Sequence, residues 1–303
     1  MVEKLRLYPD PTISSLVKAL AKYQDLKENQ IFVGVGSDDV LAIAYLTFFN
    51  SNKPIFFPDI TYSFYDVWAN LYRIPFEQLE LDDNFRIVKE DYSRENGGII
   101  IANPNAPTSI YEELDTIRYI LDHNQKSIVI IDEAYIDFGG ESAKKLINEY
   151  ENLLVVQTFS KSRSMAGLRI GYAMGSEMLI KALNDVKYSF NSYTLNLPSI
   201  ICGVESINND DYFKEMLKKI IRTRQKTMIE LERLGFVFFE SKTNFIFARH
   251  KEVAGLKIYD ELRKRKIYVR HFNKPRINNY IRITIGTDDQ MNILIEALKD
   301  IVG

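Results

Sequence analysis

Thr158-Phe159-Ser160-Lys161-Ser162-Arg163-Ser164-Met165-Ala166-Gly167-Leu168-Arg169 continues an apolar run, 153–158, that has the character of a buried strand. A lysine directly after such a strand is unusual. Burial disfavours the ammonium and lowers its pKa, which makes a nucleophilic amine able to form a Schiff base with an aldehyde. The alternative is a lysine that reaches out to solvent. Ser160 and Arg169 flank Lys161 with a hydroxyl and a guanidinium, both good phosphate partners. Arg169 in a surface ion pair is the competing reading.

Outward from this stretch, the runs 54–57, 98–102, 127–131 and 169–174 also read as short buried strands. Between them lie helical spacings such as Leu114, Ile117, Ile120 and Leu121, which share one face. Alternation of this kind predicts an α/β fold, a mostly parallel sheet covered by helices. Ligands of such sheets gather beyond the carboxyl ends of the strands. After about Asn208 the pattern changes. A charged amphipathic helix over 212–234 stops at Gly235, and strands follow over 236–240, 244–248 and 280–285. A last helix runs from Met291, with Thr287-Asp288-Asp289-Gln290 as its capping box. We therefore expect a large domain over 1–207 and a smaller α+β domain over 208–303.

Two further segments bear chemistry. Gly34-Val35-Gly36-Ser37-Asp38-Asp39 precedes an apolar helical run. Ser37 can cap that helix, and its free N–H groups suit a phosphate, or the segment is a plain loop-to-helix cap. Asp132, in Ile130-Ile131-Asp132-Glu133-Ala134-Tyr135, ends an apolar strand. It either holds a cationic ring nitrogen, with Tyr135 donating to the same ligand, or caps a helix beside a half-buried tyrosine. Pyridoxal phosphate requires a Schiff-base lysine, a carboxylate at its ring nitrogen and an anion site. The three segments supply that set in order.

Composition is ordinary for a soluble globular protein: 303 residues, 46% hydrophobic and 26% charged, with a net charge of −2. Nothing in that balance points to nucleic acid. Arg263-Lys264-Arg265-Lys266 reads as a solvated helix end. One cysteine, Cys202, rules out a disulfide within the chain, reads as a buried inert thiol and fits a reduced, cytoplasmic compartment. The three histidines lack metal-ligand spacing, so no metal is expected. No apolar run nears the ~20 residues of a membrane helix, and the N-terminus has no signal-peptide core.

The lysine segment through Tyr172 resembles that of the histidinol-phosphate aminotransferases, of the fold type I pyridoxal-phosphate superfamily. The likeness extends through Tyr8-Pro9-Asp10-Pro11, Gly34 to Asp39, Thr61-Tyr62-Ser63-Phe64-Tyr65, Asn103-Pro104-Asn105-Ala106-Pro107-Thr108, Asp132-Glu133-Ala134-Tyr135, Thr243-Asn244-Phe245-Ile246 and Arg282-Ile283-Thr284-Ile285-Gly286-Thr287. It implies that Lys161 binds the cofactor and shuttles a proton. Asp132 keeps the ring nitrogen protonated, Tyr135 bonds the ring hydroxyl, and Tyr62 stacks on the ring. The phosphate falls to the backbone of Ser37 and Asp38 and to the side chains of Thr158, Ser160 and Arg169. Arg282 and Arg270 bind the anionic groups of substrates. Tyr8 reaches the cofactor of the neighbouring subunit, which implies a homodimer.

The chain departs from the family pattern twice. Ala106 stands where an asparagine usually bonds the ring oxygen, and Asn105, one residue earlier, is the expected substitute. The family usually has a longer arm before the Tyr-Pro-Asp segment, including a stretch near the substrate, whereas Tyr8 lies almost at the start here. The implied activity is amino transfer from histidinol phosphate to 2-oxoglutarate, in histidine biosynthesis. Threonine-phosphate decarboxylation and aromatic amino transfer are alternatives on the same scaffold, and a non-catalytic dimer is a third.

Overall fold

In the computed structural model, which describes residues 2–303, the chain runs through α1 (Ser14–Gln24), β1 (Ile31–Gly34), α2 (Ser37–Phe48), β2 (Ile55–Pro58), α3 (Tyr65–Tyr72), β3 (Phe76–Leu79) and β4 (Gly98–Ala102). It continues through α4 (Leu114–His123), β5 (Val129–Asp132), β6 (Leu153–Thr158), β7 (Gly171–Gly175), α5 (Glu177–Phe190) and α6 (Leu197–Asn208). The long α7 (Asp210–Arg233) leads to β8 (Phe236–Phe238), β9 (Phe245–His250), α8 (Gly255–Lys264), β10 (Arg270–His271), β11 (Ile281–Thr284) and α9 (Asp288–Val302).

The main sheet has the order β1-β7-β6-β5-β4-β2-β3. Every neighbouring pair is parallel except the two that β7 makes. The reason lies in the connection from β6 to β7. Parallel neighbours need a crossover, usually a helix. Residues 159–170 hold only the short 3-10 turn Ala166–Leu168, so the chain doubles back antiparallel.

The central strands are buried on both faces, which is why they read as unbroken aliphatic runs. Ile99, Ile101, Ile131 and Val155 pack on the side of α1, α4 and α6. Ile100, Ile130, Leu154 and Val156 pack on the side of α2, α3 and α5. Each such burial stabilises the fold by roughly 1.5–3 kcal/mol. The second sheet, β10-β11-β9-β8, is antiparallel throughout. Leu231, Ile246, Ile258, Ile283 and Leu298 form the core between it and α7, α8 and α9.

A mixed cluster joins the two sheets' regions: Phe247 and Ile277 pack with Ile60, Leu81, Phe85 and Ile110. The buried Arg224 adds a polar tie, donating to the Phe138 carbonyl at 3.0 Å and to the Thr243 carbonyl at 2.5 Å. Arg282 on β11 is thereby brought to the carboxyl ends of β5 and β6.

Several elements differ from the sequence reading. β1, β3 and β10 were not expected, and β7 starts two residues later than the run at 169. α9 begins at Asp288, with Thr287 and Gln290 bonded reciprocally as its capping box (3.0 and 3.3 Å). Gly235 takes a φ of 83° directly after α7, a conformation that costs glycine little. Cys202 on α6 is half-buried rather than buried.

Candidate active site

Beyond the carboxyl ends of β4, β5 and β6 lies a cavity of about 260 Å³. Ser37, Asp38, Tyr62, Asp132, Tyr135, Ser160, Lys161, Arg169 and Arg282 all line it. Four other residues singled out from the sequence lie elsewhere.

Asp132 is the last residue of β5, and its carboxyl group is buried. Tyr65 donates its hydroxyl to Oδ2 at 2.8 Å, and the Ala134 N–H donates to Oδ1 at 3.2 Å. Burial pushes the pKa up to about 6, against the opposing pull of those two bonds. Lys161 enters from the β6–β7 loop and is half-buried. Its Nζ lies 5.3 Å from the centroid of the Tyr135 ring and makes no ion pair among the described residues. Tyr135 in turn stands edge-on to Phe245, 5.1 Å between centroids.

One end of the cavity is built for an anion. α2 begins at Ser37 with Gly36 at the cap position, so Ser37 is the first helical residue and not the cap that the sequence suggested. No side chain caps this end, and the first-turn N–H groups have no partner within the helix. Two glycines let the backbone and Arg169 crowd together here. A Cβ on Gly36, whose φ is 84°, would sit 2.5 Å from Nη2 of Arg169. One on Gly171 would sit 2.3 Å from the Gly36 carbonyl carbon and the Ser37 nitrogen. Arg169 reaches Asp38 at 3.4 Å, an exposed pair of the kind that contributes little. Asp38 also accepts the Tyr62 hydroxyl at 2.9 Å. Burial first, and then this carboxylate, push the Tyr62 pKa well up.

Arg282 closes the other end. Burial lowers its pKa, and its Nε is buried without a hydrogen-bond partner. The guanidinium lies over the Phe245 ring at 4.9 Å, and no carboxylate among the described residues pairs with it. A half-buried cation with no anion beside it is costly until an anion joins it. Arg270, opposite Arg282 in the β10–β11 register, is exposed and lines an adjoining cavity of about 520 Å³ that Arg282, Tyr62 and Ala106 also line.

The remaining residues depart from expectation. Asn105 does not reach the cavity. Its amide nitrogen donates to the Ile60 carbonyl and the Thr108 hydroxyl, both at 2.9 Å, and its oxygen accepts the Thr61 hydroxyl at 2.8 Å. Its amide group is thus engaged between this loop and the one after β2, while Ala106 lines the wall. Thr158 is buried outside the cavity and accepts the Ser160 N–H at 3.1 Å, which fixes the turn into Lys161. Tyr8 is 81% exposed and stacks on Tyr193, 4.6 Å between centroids.

The arrangement offers one amine, one buried carboxylate, an anion cradle and an unpaired arginine around a single cavity. The profile of the aminotransferase class I and II family matches residues 2–298. The chain belongs to this family.

Aminotransferases act on small amines and oxo acids. A histidinol-phosphate aminotransferase of Clostridium beijerinckii is 50% identical to this one over 299 residues, 99% of this chain and 84% of that one. Among solved structures, the histidinol-phosphate aminotransferase from Clostridium acetobutylicum superposes with a TM-score of 0.90 at 25% identity, covering 99% of this chain and 91% of that one. That from Sinorhizobium meliloti, in complex with pyridoxal-5'-phosphate, gives 0.89 at 21% identity, covering 99% and 84%. The second likeness shows the fold alone. In this aminotransferase the sequence reading had missed Tyr65, the hydroxyl donor to Asp132. No local signal marked it, since Tyr62 lies in the loop before α3 and the bond to Asp132 spans 67 residues.

Proposed function

We propose that this aminotransferase moves the amino group of histidinol phosphate to 2-oxoglutarate with pyridoxal phosphate, in histidine biosynthesis. The observation that carries the reading is the meeting of Lys161, Asp132 and the unpaired Arg282 at one cavity. The identity of 50% to a histidinol-phosphate aminotransferase supports the same substrate.

The residues fit the cofactor: the cap of α2 is bare, Arg169 stands beside it, and Asp132 is a buried carboxylate with no cationic side chain paired to it among the described residues. When bound, pyridoxal phosphate supplies an aldehyde and an electron-accepting ring. Lys161 would supply the amine that holds the aldehyde and, as a free amine, would move the proton at the substrate's Cα. Asp132, as carboxylate, would hold a proton on the ring nitrogen. Tyr135 would hold the ring hydroxyl, and Tyr62 would stand against the ring. The N–H groups of Ser37 and Asp38, with Ser160 and Arg169, hold the phosphate. Thr158 positions Ser160. Arg282 and Arg270 take the substrate's phosphate or the acceptor's carboxylate, as bidentate clamps.

The reading includes a cytoplasmic homodimer in which Tyr8 serves the neighbouring site. The exposed Leu5, Leu7, Tyr8, Phe190 and Tyr193 support a partner surface. No helix among the described residues is long and apolar enough to cross a membrane. A division into a cofactor-binding domain over 1–207 and a smaller domain over 208–303 is supported by the separate core under the second sheet.

Replacement of Lys161 by Ala tests the assignment. A folded protein that forms no glutamate from histidinol phosphate and 2-oxoglutarate is expected. Turnover at the wild-type rate in that variant, or release of carbon dioxide by the wild type, would overturn it.

A further inference from the structure

On the α1 side of the main sheet, away from the cavity of Lys161, a cleft of about 810 Å³ opens between α1, α6, the start of α7 and the turns after β5. Its volume lies within the range of small-molecule sites, about 300–1,000 Å³. Its floor is a connected hydrogen-bond network. Glu133 accepts the side-chain N–H of Gln157 at 2.7 Å, the Ser142 hydroxyl at 2.6 Å and the Ala143 N–H at 2.6 Å. Gln157 accepts the Tyr172 hydroxyl at 2.5 Å, and Gln24 donates to that hydroxyl at 2.6 Å.

The charged groups around this floor lie near one another, yet Lys144 and Asp137 make no ion pair in contact among the described residues. Lys144 is half-buried, yet its ammonium donates only to uncharged acceptors, the Gln24 side-chain oxygen at 2.7 Å and the Gln24 carbonyl at 3.2 Å. Lys22 makes no ion pair among the described residues. Asp137, on the same cleft, accepts the Ser162 hydroxyl at 2.5 Å; the Arg163 and Lys144 charges lie near enough to act on it, and among the described residues neither pairs with it in contact. Asp210 pairs with Lys214 through Oδ2 at 2.5 Å, and its Oδ1 is buried without a hydrogen-bond partner. Positive and negative groups thus face the same space without touching. Ile136 and Ile207 supply apolar wall.

We propose that this cleft binds a free α-amino acid, its carboxylate on Lys144 and Lys22 and its ammonium on Asp137. A zwitterion holds both charges on one carbon, so it satisfies both walls at once, which a simple anion does not. The floor presents its groups already oriented, so little ordering is required on binding. The site also touches the catalytic loop: Asp137 is bonded to Ser162, the residue after Lys161.

Calorimetric titration of the cofactor-loaded protein with L-histidine, L-glutamate, L-alanine and inorganic phosphate tests this. We expect at least one amino acid to bind, and phosphate not to compete with it. Binding should survive Arg282→Met, which disables the cavity of Lys161. It should weaken about tenfold or more in Lys144→Met, the loss of one charge-assisted hydrogen bond. Should Lys144→Met not fold, the exposed Lys22→Ala serves, with a smaller loss expected. Absence of heat from all three amino acids overturns the proposal. So do unchanged binding in both lysine variants, loss of binding in Arg282→Met, and equal binding of phosphate with competition.

Discussion

Tyr65→Phe isolates how the fold sets the charge of Asp132. The substitution removes one hydroxyl and keeps the buried ring. That hydroxyl donates at 2.8 Å to a carboxyl group whose pKa burial has raised to about 6. A hydrogen bond to a charged group contributes about 1.5–3 kcal/mol, or about one to two pK units at 1.36 kcal/mol each. The Asp132 pKa should therefore rise to between about 7 and 8 in the cofactor-free variant. At pH 7 wild-type Asp132 is about nine-tenths ionised, and in the variant between about half and one-tenth. Since the ring nitrogen needs the carboxylate, the variant should bind pyridoxal phosphate about two- to tenfold more weakly at pH 7. Near pH 9 the two proteins should bind alike, because free and bound states have lost the same bond. Taking the ratio of dissociation constants cancels contributions common to both proteins. A ratio that stays flat between pH 6 and pH 9 would refute the reasoning. The sign for stability follows from the same shift. A folded-state pKa raised above the ordinary carboxylate value stabilises the chain at low pH, and that contribution is lost as pH rises through about 6.

Arg282→Met should raise KM for the phosphorylated amine by about ten- to a hundredfold, the loss of a charge-assisted contact. The denaturation midpoint of the cofactor-free chain should not fall, because the buried Nε has no protein partner to lose. Steady-state kinetics and urea unfolding read the two effects separately. Asn105→Ala should behave in the opposite way. It strips three hydrogen bonds from a buried loop, for a loss of about 1–3 kcal/mol in urea unfolding. The affinity of the folded protein for pyridoxal phosphate should stay unchanged, and a drop with intact stability would count against the assigned geometry.

The parts of the fold that were legible in the sequence are those with strong local signals. β4 and the first four residues of β6 are aliphatic runs, and the Thr287 box marks the start of α9 without reference to anything distant. β3 escaped because Phe76-Glu77-Gln78-Leu79 lies at the edge of the sheet and is partly polar. The direction of β7 is not a property of its own residues; it follows from the lack of a crossover helix in the loop that carries Lys161. The site divides similarly. Lys161, Asp132 and the Gly34 to Asp39 turn follow strands and were found where α/β sheets place ligands. The inward commitment of Asn105, the bond from Tyr65 and the unpaired state of Arg282 depend on contacts between distant segments. Sequence spacing does not encode them.

The most direct test of the central claim is the visible absorption spectrum of the protein with pyridoxal phosphate, before and after histidinol phosphate is added. The account predicts a visible band that depends on Lys161, bleaches with the amine and returns with 2-oxoglutarate. A protein that binds the cofactor and shows the band, yet leaves it unchanged with histidinol phosphate, would contradict the assigned substrate.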